Sequence, residues 1–107
     1  MPIDNFKLDF WAGTMVLGTL QVKIHFPEPQ SLKEKRFILK SLMTRLRQEF
    51  NAGIAELDGM DLWQHSVIAA VCVGNERKEV DRVLDQIMRF LDRENELRVV
   101  DHQKELL

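Results

Sequence analysis

The sequence predicts an α+β domain with the element order β-α-β-β-α-β, in which two helices cover one face of an antiparallel four-stranded sheet. Three observations predict it. Two segments repeat their apolar residues at helical spacing; the first follows a segment with strand periodicity and the second a short, β-branched apolar run. Proline, asparagine and glycine punctuate the joints between them. The length, 107 residues, suffices for one core and not for two.

Residues 1–14 read as an extension ahead of a single domain at residues 15–107. In that extension Phe6, Leu8 and Phe10 alternate with Lys7 and Asp9, a pattern that predicts an added edge strand. Translation starting at Met15 is the alternative, with the upstream residues a tail. Met15–Phe26 is the stronger strand. Val16, Gly18, Leu20, Val22, Ile24 and Phe26 share one face of its pleat, and Met15, Leu17, Thr19, Gln21, Lys23 and His25 share the other. One side suits a core and the other turns polar, as in a sheet covered on one face. Pro27 and Pro29 end the ladder because proline has no N–H to donate.

Ser31 and Glu34 form an S-x-x-E capping box that opens the first helix. Leu32, Ile38, Leu39, Leu42, Met43, Leu46 and Phe50 fall on one side of it, and Asn51 and Gly53 stop it. A short strand at Ile54–Leu57 leads into the turn signal Asp58-Gly59. Ser66–Val73 is apolar on both parities, as expected of a central strand. Asn75 is the expected N-cap of a second helix that buries Val80, Val83, Leu84, Ile87, Phe90 and Leu91. Asp85 and Arg89, four residues apart, predict an ion-paired outer face there. Leu97–Val100 is the last expected strand. This order is the split βαβ, or ferredoxin-like, arrangement.

Composition excludes more than it assigns. No apolar run approaches the ~20 residues of a membrane span, so no membrane partner is expected. The single Cys72 forms no intramolecular disulfide and holds no Cys-rich metal site; a reducing cytoplasm is the expected compartment. The net charge of −2 hides an asymmetry: residues 1–50 carry 8 basic and 5 acidic side chains, residues 51–107 carry 7 and 12. Such polarity marks either a partner surface or solvated faces.

Four cations carry the sharpest functional signal. Lys33, Arg36, Lys40 and Arg47 fall within about 60° of one another on the first helix. A row of fixed cations suits a row of phosphates; the alternative is long side chains whose stems cover apolar surface. Phe37 lies on the outer side of the same helix, where it is a candidate partner contact together with Trp63 and Gln64. For Trp63 the competing reading is a hairpin pin whose indole N–H meets a backbone carbonyl. The usual RNA-recognition motif, which stacks bases on aromatics of its central strands, does not fit Thr19, Gln21 and Lys23.

No enzyme is expected. His25, His65 and His102 stand on separate elements without metal-ligand spacing, Asp58, Asp61 and Asp85 read as solvated, and Cys72 reads as a buried hydrophobe. No glycine loop cradles a phosphate, and Pro27, Glu28 and Pro29 occupy the place of an acylphosphatase anion loop. Neither a catalytic residue nor a metal or other cofactor is assigned.

The stretch V-x-x-H-x-P-x-x-x-S-L-K-E-K-R-x-x-x-K-S-L, Val22 to Leu42, resembles the YlxP family of small bacterial proteins, as do Ala55-Glu56-Leu57, Asp61-Leu62-Trp63-Gln64 and Asp101. The resemblance covers residues 15–107; the extension before Met15 departs from it. It implies a ferredoxin-like fold without an established activity, and a genomic setting beside translation and ribosome-maturation factors. The expected function is thus a binding module for RNA or ribosomal particles working through the first helix. The alternative is a self-associating, homo-oligomeric or small-ligand regulatory protein that uses the open sheet face.

Overall fold

A computed structural model describes residues 14–107. The edge strand expected at Phe6–Phe10 lies outside the described residues. The elements are β1 (Val16–His25), α1 (Leu32–Glu49), β2 (Gly53–Asp58), β3 (His65–Gly74), α2 (Arg77–Asp92) and β4 (Arg98–Leu106). The strands form one antiparallel sheet in the order β2-β3-β1-β4. Both helices pack on the same side, which gives the expected ferredoxin-like α+β architecture.

The alternation read in β1 holds residue by residue. Val16, Leu20, Val22, Ile24 and Phe26 are buried under the helices, while Gln21 and Lys23 are exposed on the opposite face. Ile68, Ala70 and Cys72 continue the core from β3, and α1 and α2 close it with Leu39, Leu42, Leu46, Val80, Leu84, Ile87 and Leu91. Gly18 sits where Val80 and Leu84 of α2 press against the sheet. A Cβ there would stand 2.4 Å from Val80 Cγ1 and 2.9 Å from Leu84 Cδ1. Val80 is β-branched and buried, so it has little freedom to give way. Gly18→Ala should therefore lower the unfolding free energy by about 1–3 kcal/mol in urea titrations, the cost of overpacking.

Several local expectations need correction. Ser31 Oγ accepts the Glu34 N–H at 3.2 Å as expected, but the Glu34 carboxylate accepts from Gln30 N–H rather than from Ser31. The second helix begins one residue later than its Asn75 signal: Glu76 is the N-cap, and its side chain makes no capping bond. Val83 and Phe90, expected in the core, are only half-buried. Asp85 pairs with Lys104 of β4 at 2.9 Å instead of with Arg89.

The last correction is the largest. β4 runs through the charged segment to Leu106, well beyond Val100. An edge strand needs only backbone pairing on its inner side, so polar side chains do not stop it. Here Lys104 falls opposite Leu20 on the helix-covered side and reaches both Asp81 and Asp85 of α2. Hydrogen bonds to those two carboxylates hold its ammonium charged to higher pH than an ordinary lysine.

Candidate functional site

α1 has one inward residue that apolar periodicity does not reveal. Lys35 is in phase with Leu39, Leu42 and Leu46, at the centre of the buried stripe, and is wholly buried. Its ammonium donates to Glu56 Oε2 at 3.0 Å and to the Gly59 carbonyl at 2.8 Å. Ser66 Oγ donates to the same Glu56 oxygen at 2.6 Å. One cation therefore ties α1 to β2, to the β2–β3 turn and, through Glu56, to β3. Gly59 takes a positive φ of 83°, and a Cβ there would lie 2.9 Å from the His65 carbonyl, so the clamped turn needs glycine. The signal available in the sequence was Lys35's own phase within the Leu39/Leu42/Leu46 repeat.

With Lys35 pointing inward, helical geometry aims Phe37 about 200° away. Phe37 is 79% exposed. Lys33, Arg36 and Lys40 are exposed between these extremes, on one outer face. Among the described residues none of the three is in an ion pair. Arg47 is also exposed, but its guanidinium Nη2 donates to the Ile54 carbonyl at 2.9 Å. That bond fastens the end of α1 to β2, so Arg47 serves the fold first. The predicted row of four is thus brought together, with three members uncommitted.

The charge surroundings differ between the helices. α1 holds six basic and two acidic residues, whereas α2 holds four of each, which leaves only α1 with a cationic surplus. Arg82 on α2 pairs with Glu79 at 2.8 Å. The N-terminus of α1 adds its own partial positive charge near Lys33 and Arg36. Beside them a shallow depression of about 560 Å³ is lined by Pro29, Ser31, Lys33, Phe37 and Ile38, with Glu28 and Glu34 completing it.

The other expected contacts fall elsewhere. Trp63 lies in the β2–β3 connection and is 43% exposed; among the described residues its indole donates no hydrogen bond, which corrects the expected pin to a backbone carbonyl. Gln64 accepts the Phe26 N–H at 2.8 Å through its backbone carbonyl and closes the end of β1. His25 and His65, which stand far apart in sequence, are register partners across β1 and β3, with ring centroids 4.9 Å apart. Among the described residues no three His, Cys, Asp or Glu side chains gather to hold a metal ion. Cys72 is buried, its Sγ lies 3.7 Å from the Val80 carbonyl, and burial pushes its thiol up, away from the thiolate a nucleophile needs.

Residues 17–104 match a family described as "Protein of unknown function (DUF503)". Over 77 residues the chain is 34% identical to the uncharacterized protein YlxP of Bacillus subtilis (strain 168), an alignment spanning 72% of this chain and 84% of that protein. Among solved structures it is similar to the de novo designed protein Foldit4, with a TM-score of 0.48 and 12% identity over 85% of this chain and 96% of that one.

Proposed function

The chain belongs to the DUF503 family, to which YlxP is related and whose description names no activity, and from its surface we propose a non-enzymatic module that binds RNA, free or in ribosomal particles, through the outer face of α1. One observation carries the reading: Lys33, Arg36 and Lys40 project from one face without ion-pair partners among the described residues, beside the exposed ring of Phe37. Cations that are already neutralised gain little from a phosphate, whereas uncommitted ones release counterions from the nucleic acid when they bind. Phe37 supplies the face on which an unpaired base stacks, a contact available in single strands and closed in a duplex. The preferred ligand is therefore single-stranded RNA.

Three phosphate contacts on a single strand predict a log–log dependence of affinity on salt with a slope of about −2. Fluorescence anisotropy with a labelled single-stranded oligonucleotide, repeated across salt concentrations, measures it. Binding that is absent at low salt, or a slope near zero, contradicts the proposal. Phe37→Ala should weaken binding about tenfold and leave that slope unchanged, because stacking releases no counterions.

A further inference from the structure

The side of the sheet opposite the helices is uncovered among the described residues, and it is not polar throughout. Val71 and Val73 of β3 are 44% and 63% exposed, and Ala55, Ala69, Val67 and Leu17 surround them on the same face by register. The apolar surface continues past the turn: Leu62 and Val100 flank Lys23, His65 and Val67 around a hollow of about 180 Å³. Val100 is displaced outward because it is the extra residue where β4 slips register against β1, between Val99 and Asp101.

We propose that this face is the docking surface for a second copy of the chain, packed sheet to sheet. Two properties favour that occupant. The first is area. Strands of 10, 6, 10 and 9 residues, spaced about 4.8 Å apart, offer roughly 550 Å² per copy, so a pair buries roughly 1,100 Å², just above the ~1,000 Å² that a specific interface must clear. The small side chains of Ala55 and Ala69 let two such layers approach at ordinary sheet-stacking distance.

The second is charge. Lys23 stands opposite Asp101 in register, yet the two form no ion pair among the described residues. Glu105 lies farther along the same face, opposite Thr19. A two-fold interface brings one patch against itself, so a patch bearing both signs complements its own copy. The same acids oppose a nucleic acid, and no Phe, Tyr or Trp of β1 or β3 is present there to stack a base. Because the helices cover the other side, pairing in this way leaves both α1 faces outward, and it stands or falls independently of the RNA reading.

Sedimentation of the full chain between about 5 and 500 µM tests the proposal, with a dimer dissociation constant in the micromolar range expected. Val73→Glu should weaken association at least about tenfold, and the shape-conserving Val71→Thr should weaken it less, both with unchanged circular dichroism. Arg36→Glu should associate as the parent does. A single-chain mass throughout overturns the assignment and leaves the face to another macromolecule. Association of Val73→Glu and Val71→Thr as tight as the parent's overturns it equally.

Discussion

Lys35→Met should lower the unfolding free energy by about 3 kcal/mol, a loss of the size expected from truncating a buried leucine of the same helix. The substitution keeps the length of the stem in the core but removes the ammonium. Glu56 is then left as a carboxylate with only the Ser66 hydroxyl, and the Gly59 carbonyl loses its donor. With urea m-values of about 1–3 kcal/mol/M for small domains, the midpoint should fall by 1 M or more. Coupling is the sharper test. Removing both charges in Lys35→Met/Glu56→Leu should cost far less than the two single changes together, since no uncompensated group then stays behind. Additive losses would show that Lys35 contributes packing alone.

Reversing two charges on the outer face should act on binding and spare the fold. Arg36→Glu/Lys40→Glu removes two of the three uncommitted cations and places carboxylates where phosphates are proposed to sit. An affinity loss of about 100-fold at low salt is expected, with the salt slope flattening toward zero. Both side chains are exposed, so unfolding midpoints should move by no more than about 0.5 kcal/mol equivalent. The control Arg77→Glu/Arg89→Glu, on the charge-balanced α2, makes the same change in net charge and should bind as the parent does. Equal losses in the control would assign the effect to net charge rather than to α1.

These two predictions concern opposite faces of one helix, and the sequence disclosed them unequally. The outward row was legible because exposed residues answer only to helical phase; Lys33, Arg36 and Lys40 lie together as their spacing requires. The inward lysine was hidden because a polar residue within an apolar repeat reads as an interruption. Its carboxylate partner lies 21 residues away on β2, a pairing that only the fold brings about. Long-range register explains the other omissions. His25 meets His65 because β1 and β3 run antiparallel, and β4 extends to Leu106 because β1 offers it a ladder. Arg47 shows the converse: periodicity placed it on the basic face, but its bond to the Ile54 carbonyl depends on where the edge strand lies. Layer order and the identity of the core strands survived all of this, since pleat alternation in β1 is a local property.

The most direct test is amide and side-chain NMR of the full chain during titration with single-stranded RNA. Shifts concentrated on Lys33, Arg36, Phe37 and Lys40, saturating together, are the predicted result. Shifts confined to the open sheet face around Lys23, Val71 and Val73, with α1 unperturbed, would contradict the assignment of RNA binding to this helix.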